Sequence, residues 1–271
     1  MSVSLAPYQT ALITGAAQGI GRGIAEALTE CNIRCVIADI EVDAAQEAAL
    51  AIGAQAVALD VTQPDSWAKA KREATALVGE IDILCNNAGI DLPFSNLSAV
   101  SNDAFQRVFD INVKGVFLGV ATFVDDFKAR GQGYIVNTSS MNGLLPHAGS
   151  SVYSASKFAV LGLSDALRDE LAPIGIGVST LFPGLTRSRM SETKNREIAL
   201  ENPAMAEAVA ANMMEPVWLG RAVVRAISRN EPYIISHPGY IEALRARHAA
   251  LDQAHGEPAQ PGYGVKGSAL S

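Results

Sequence analysis

Thr10-Ala11-Leu12-Ile13-Thr14-Gly15-Ala16-Ala17-Gln18-Gly19-Ile20-Gly21 begins as a short apolar run, turns through glycines and enters helical periodicity at Ile24, Ala25, Ala27 and Leu28. Strand, glycine turn, helix is the context in which a glycine-rich loop has a mechanism. Glycine lets the backbone turn sharply and approach a pyrophosphate, and the helix N-terminus offers free N–H groups at the positive end of its dipole. The spacing is Thr14-Gly15-x-x-x-Gly19-x-Gly21 rather than Gly-x-Gly-x-x-Gly, because position 24 is isoleucine. A tight turn alone also explains such a cluster, so its meaning depends on the rest of the chain.

Beyond Leu28 the chain alternates regularly. Arg34-Cys35-Val36-Ile37-Ala38 reads as a second strand and ends in Asp39, 18 residues beyond Gly21. An acidic residue there accepts hydrogen bonds from adenosine ribose hydroxyls and repels a 2′-phosphate. Its neighbours Gln18 and Ile40 carry no charge to pair with that phosphate; the plainer role for Asp39 is to end a strand. Further strands are expected at residues 55–59, 81–85, 134–138, 176–182 and 233–235, with helices between them. Asn86-Asn87-Ala88-Gly89 comes after the fourth strand, either as a simple turn or as a place where a ligand lies against backbone. The β-α alternation implies one α/β domain, a doubly wound parallel sheet of about seven strands with helices on both faces. It is expected over residues 1–255, with an irregular tail over 256–271.

A second stretch carries chemistry. Tyr153 and Lys157 stand four apart at the start of a helix expected to reach Leu171, so they share a face. The ordinary reading is a helix-surface pair. The chemical one is a phenol whose ionisation is favoured by a fixed ammonium, able to act as general acid or base. Ser140, on the loop after the fifth strand, brings a hydroxyl to the same region. Asn112 interrupts the apolar face (Phe105, Val108, Phe109, Val113, Val116, Phe117, Val120) of a long helix expected over residues 101–128. A buried amide needs partners, so Asn112 is either structural or part of a site.

Composition sets bounds. The 271 residues are 49% apolar and 18% charged, with 23 glycines and a formal net charge of −7. That charge offers no basic field for nucleic acid or anionic lipid. No run reaches the roughly 18 apolar residues of a membrane helix, and residues 1–9 lack the pattern of a secretory signal. Three cysteines without histidines at ligand spacing predict reduced thiols, no metal site and a cytoplasmic location.

Taken together these residues resemble the short-chain dehydrogenase/reductase family in its compact single-domain branch. The resemblance spans roughly residues 10–235. It rests on Thr14-Gly15-x-x-x-Gly19-x-Gly21, Asn86-Asn87-Ala88-Gly89, Asn112, Ser140, Tyr153-x-x-x-Lys157 and Pro183-Gly184, in the family's order. It implies a Rossmann-type sheet, an NAD cofactor and oxidoreductase activity interconverting a secondary alcohol and a ketone. Tyr153 would be the acid/base, with Lys157 lowering its pKa and holding nicotinamide ribose. Ser140 would bind the substrate oxygen, and Asn112 would anchor a relay water. The cofactor set it implies is Gly15, Gln18, Gly19, Ile20, Gly21, Asp39 and Ile40 at the first two strands, with Tyr153 and Lys157 on the catalytic helix. Asp60 and Val61 join at adenine, then Asn87, Ala88 and Gly89, and finally Pro183, Gly184, Thr186 and Ser188 around the nicotinamide. A homotetramer is the family's usual state.

The substrate pocket is expected between Asp91, Leu92 and Pro93, the loop bearing Asn142, Leu144, Leu145 and His147, and a lid over residues 185–215 with Leu185, Met190, Met205, Met213 and Met214. Flexible thioethers suit an irregular apolar body, here aromatic or alicyclic. The lid cations Arg187, Arg189 and Lys194 are expected to face solvent. Three alternatives stay open. The substrate is instead a polyol, sugar or small polar carbonyl, recognised by Asp91, Asn142 and His147. The enzyme instead uses NADPH or catalyses a non-redox step. Or the chain binds a dinucleotide without catalysis.

Overall fold

Strand order decides where a ligand goes. A computed structural model describes residues 3–254. Its seven strands are β1(Thr10–Thr14), β2(Arg34–Asp39), β3(Gln55–Ala58), β4(Ile83–Asn86), β5(Gly133–Thr138), β6(Ile176–Phe182) and β7(Tyr233–Ile235). They pair in parallel in the order β3-β2-β1-β4-β5-β6-β7. The order reverses between β1 and β4, so the loops leaving their C-terminal ends part and leave a crevice there.

Alternation along each strand feeds two cores. Ala11, Ile13, Cys35, Ile37, Ile83, Cys85 and Val136 pack under α1(Gly19–Thr29), α2(Val42–Ile52) and α9(Pro216–Arg229). Leu12, Val36, Leu84, Ile135 and Val178 face the other way, toward α3(Pro64–Val78), α5(Gly115–Arg130) and α6(Ser151–Leu171). This is the two-faced burial expected of a doubly wound sheet.

Helices α1 and α9 approach backbone to backbone. A Cβ on Gly220 would lie 2.0 Å from the Gly23 carbonyl oxygen, and one on Gly23 would lie 2.4 Å from the Pro216 carbonyl oxygen. Gly220→Ala should therefore push the two helices apart and lower unfolding free energy by about 1–3 kcal/mol. Chemical denaturation measures it, and an unchanged midpoint would contradict the close packing.

The long helix expected over residues 101–128 is interrupted. It forms α4(Asn102–Phe109), a π-helical turn (Asp110–Lys114) and α5. Phe105 and Phe117, expected on its buried stripe, are 44% and 54% exposed. Phe117 comes directly after the buried Val116 and so points about 100° away from it round the helix, while Phe105 stacks on Phe109 with centroids 4.5 Å apart. The helix-prone segment after β6 is two short helices, α7(Arg189–Glu201) and α8(Pro203–Ala211).

The chain's contacts divide it into two compact units, one ending at His237 and the other beginning at Pro238 and containing α10(Ile241–Gln253). The strand and helix alternation predicts one domain to residue 255; the contacts divide the chain at His237. The tail expected over residues 256–271 lies outside the described residues. No helix among the described residues is long and apolar enough to cross a membrane.

Candidate active site

The crevice is laced shut at its base by Thr14 and Asn87. The Thr14 hydroxyl accepts from the backbone N–H of Asn87 (2.9 Å) and of Ala88 (3.0 Å). The Asn87 amide donates to the carbonyls of Thr14 (3.0 Å) and Gly15 (3.2 Å). Gly15 and Gly19 adopt φ of +61° and +56°, the left-handed region that favours glycine. A Cβ on Gly15 would meet the Ala88 Cα at 2.7 Å, and one on Gly21 would meet the Gly15 carbonyl oxygen at 2.5 Å. Backbone thus lines this floor, and Gly19 and Ile20 begin α1 with its free N–H groups facing the loop. A pyrophosphate fits such a cradle.

Asp39 sits where the strand ends. Its carboxylate accepts from the Ala17 N–H (3.0 Å) and the Glu41 N–H (3.1 Å), so it also shapes the loop around Gln18. Ile40 beside it is 68% exposed. Asp60 turns inward on its own loop, accepting from the Thr62 N–H and hydroxyl at 2.9 and 2.8 Å. Val61 is buried, with its carbonyl taken by the Trp67 indole at 3.0 Å.

On α6 the candidate catalytic groups converge. Ser140, whose hydroxyl accepts from the Asn142 N–H at 3.1 Å, stands close enough to the Tyr153 phenol to favour its ionisation. Lys157 is 3% exposed; its ammonium donates to the Thr138 carbonyl at 3.0 Å and stands 5.6 Å from the centre of the Tyr153 ring. Burial pulls the Lys157 pKa down to about 8, against the charge of Asp91. Burial also pushes the Tyr153 phenol above its ordinary value, the nearby Ser140 hydroxyl works the other way, and Asp91 adds to the rise. The depression expected from the Lys157 charge does not appear, because desolvation of the buried phenolate dominates.

Asn112 lies within the π-helical turn, fully buried. Its side chain accepts from the Ile90 N–H (2.8 Å) and donates to the Ile90 carbonyl (2.9 Å) and the Ser156 hydroxyl (3.0 Å). Ser156 in turn donates to the Tyr153 carbonyl at 2.7 Å. The amide therefore ties the loop after β4 to α6, with both of its N–H groups taken by protein acceptors. A Cβ on Gly89 would lie 3.2 Å from both Asn112 Oδ1 and Lys157 Nζ, which places Gly89 between them.

At the far side, Pro183 accepts from the Met141 N–H at 3.0 Å, joining the loops after β5 and β6. Gly184 donates to the His237 ring at 3.2 Å, and a Cβ there would strike that ring at 2.6 Å. His237 braces this turn, and no local spacing singles it out in the sequence. Thr186 is buried, with its hydroxyl on the Gly184 carbonyl (3.3 Å). The Ser188 hydroxyl caps α7 by accepting from the Ser191 N–H, while Ser188 Cβ packs against Gly19, 2.9 Å from where a glycine Cβ would stand. Ser188 thus joins the lid to the glycine loop.

Tyr153 lines a small cavity together with Asp91, Leu92, Ser95, Leu97, Val100, Ser150 and Val152 among others. Leu97 and Val100 belong to an irregular segment with no periodicity to single them out. Leu144, Leu185 and Met190 are half-buried, His147 is exposed and Met205 is 53% exposed. Lys194 departs from expectation: it turns inward from α7, 20% exposed, and pairs with Asp91. Arg189 grips Glu41 through both terminal nitrogens, at 2.6 and 2.9 Å, across 148 residues of sequence. Among the described residues no group of acidic, histidine and cysteine side chains is placed to hold a metal ion.

Comparison with known proteins agrees with this geometry. The short chain dehydrogenase family profile matches residues 9–199. A 3-alpha-(or 20-beta)-hydroxysteroid dehydrogenase of Mycobacterium tuberculosis is 35% identical over 227 residues, 83% of this chain and 84% of the relative. A cyclopentanol dehydrogenase of Comamonas testosteroni is 32% identical over 79% of this chain and 84% of its own length. The crystal structure of a short-chain dehydrogenase/reductase from Burkholderia phymatum in complex with NAD superposes with a TM-score of 0.80. It is 25% identical, covering 96% of this chain and 99% of that one. On the match over most of its length and on the parallel seven-stranded fold, this chain belongs to the short-chain dehydrogenase/reductase family.

Proposed function

We propose that this oxidoreductase interconverts a secondary alcohol and a ketone with NAD, using Tyr153 as general acid and base on a substrate with a sizeable alicyclic or aromatic body. The observation that carries the reading is the Tyr153 phenol close to the Ser140 hydroxyl, with the buried Lys157 ammonium behind it, on the wall of a small cavity where Leu92, Leu97 and Val152 stand beside Asp91 and serines. The names of the hydroxysteroid and cyclopentanol relatives support an alicyclic body.

When bound, the nicotinamide supplies the hydride acceptor or donor. The glycines at 15, 19 and 21 hold its pyrophosphate and Asp39 its ribose hydroxyls. Pro183, Gly184 and Thr186 shape the nicotinamide end. Ser140 donates to the substrate oxygen as negative charge develops there, where a preorganised donor helps most. Tyr153 takes the alcohol proton in oxidation and returns it in reduction, and the Lys157 charge favours the phenolate. Asn112 holds the loop after β4 and α6 in register, so that both walls of the site keep their spacing. Because oxidation needs the phenolate, its rate should rise with pH through one ionisation, and the reduction rate should fall through the same one.

The substrate reading is tested with a panel of alicyclic and aryl secondary alcohols, polyols and sugars, monitored by NADH formation at alkaline pH. Alicyclic and aryl alcohols should lead; polyols outperforming all of them would replace this reading with the polar one, which the Asp91–Lys194 pair favours.

Cofactor choice gives a separate expectation. Asp39 opposes a 2′-phosphate, and one charge clash of about 1.4 kcal/mol already gives a factor of ten. Arg189, a cation that the fold brings within electrostatic reach of Asp39, is held by Glu41. NAD should exceed NADP in kcat/KM by more than tenfold, and Glu41→Ala should narrow that ratio by releasing Arg189. Equal use of both cofactors by the natural protein would overturn the ribose assignment. The exposed Phe105 and Phe117 suit self-association into a homotetramer, which sedimentation measures. The thiols of Cys35 and Cys85, raised by burial and unpaired, suit a reducing cytoplasm.

A further inference from the structure

A carboxylate and an ammonium meet inside the candidate active site without a place in the mechanism above. Asp91, on the loop after β4, has a side chain 5% exposed, and its ion-pair partner Lys194 comes from α7. The ammonium lies 4.3 Å from the centre of the Phe94 ring and 5.9 Å from that of Tyr153. The second Asp91 oxygen accepts from the Leu92 N–H at 2.7 Å. A buried charge is costly unless compensated, and here the compensation arrives from a different element.

Helix α7 buries none of its own residues. Polar links tie it down: the Ser188 cap, Arg189 on Glu41, and Lys194 on Asp91. Only the last reaches the reacting groups. The charged and titratable groups near the phenol are Lys157 from α6, Asp91 from the loop after β4 and Lys194 from α7. The loop after β5 contributes the Ser140 hydroxyl, and its His147 is exposed. In the π-helical turn, Asp110 accepts from Gln106 at 3.0 Å and Lys114 is exposed. Asp91 and Tyr153 line the same cavity. The carboxylate charge opposes ionisation of the phenol while it also supports the charged form of Lys157, so a cation that neutralises Asp91 acts most directly on the phenol beside it.

We infer that Lys194 is a positioning residue for the proton-transfer step: by pairing with Asp91 while α7 lies over the site, it cancels a carboxylate charge that would otherwise oppose phenolate formation on Tyr153. The inference rests on Tyr153 being the acid/base. Placing the cancelling charge on the covering helix couples coverage of the site to readiness for proton transfer.

The test is the pH dependence of kcat for alcohol oxidation in the natural protein, Lys194→Met, Asp91→Asn, the double variant and Tyr153→Phe. Thermal midpoints and NADH titration report folding. Lys194→Met should move the governing ionisation up by about one pH unit, with about a tenfold loss of kcat below it. Asp91→Asn should not move it up, and the double variant should return toward the natural profile. An unmoved ionisation in Lys194→Met, or a double variant no better than that single one, would show a mere latch or substrate contact and overturn the inference. If Lys194→Met does not fold, an upward shift in Asp91→Asn overturns it and an unmoved or downward one supports it. Turnover persisting in Tyr153→Phe instead removes the acid/base reading itself, a failure distinct from an unmoved Lys194→Met profile.

Discussion

Tyr153→Phe should lower kcat for alcohol oxidation by about 10²–10⁴-fold, the range for loss of a positioned acid or base, while NADH binding and the thermal midpoint change little. The phenol oxygen is the only atom removed. The groups proposed to cradle the pyrophosphate lie on the loops after β1 and β4, and their hydrogen bonds do not involve residue 153. The ring that packs near Lys157 and Lys194 is retained. Losing the Tyr153 hydroxyl leaves Ser140 still accepting from Asn142. Steady-state kinetics beside fluorescence titration of NADH separates chemistry from binding. Turnover near that of the natural protein would remove Tyr153 from the mechanism.

Gly21→Ala should weaken NADH binding by more than about 100-fold, close to 3 kcal/mol. The glycine is needed for space rather than for an unusual dihedral, since Gly21 is absent from the residues with positive φ. An added Cβ would stand 2.5 Å from the Gly15 carbonyl oxygen, 2.6 Å from Asn87 Nδ2 and 2.8 Å from the Ala16 Cα. Two of these are backbone, so relief requires the start of α1 to move away from the loop. That movement parts the Asn87 bonds to Thr14 and Gly15 and spoils the approach of N–H groups to the pyrophosphate. Some loss of stability, about 1–3 kcal/mol, should accompany it. Gly162→Ala is the matched control: it lies within α6 with nothing within 4 Å of the added Cβ, so binding should be retained and helicity favoured. NADH affinity in Gly21→Ala equal to that of the control would mean that the loop does not form the pyrophosphate cradle.

The amino-acid sequence by itself determined the elements and the local chemistry. Short apolar runs specify strands: β1, β6 and β7 begin and end where the expected runs do, while β4 starts two residues later and ends one later than expected. Glycines at 15, 19 and 21, and the four-residue step from Tyr153 to Lys157, are readable because a turn or one helical turn relates the residues directly. Tertiary structure alone decided what partners what across distance. It placed Glu41 on Arg189, Gly184 on His237 and Asp91 on Lys194. It also turned Phe105 and Phe117 outward, and it gave Asn112 its Ile90 and Ser156 partners. Backbone periodicity sets a side chain's direction relative to its own element. Which charge or carbonyl waits in that direction depends on how the sheet orders its strands, and no local spacing encodes that.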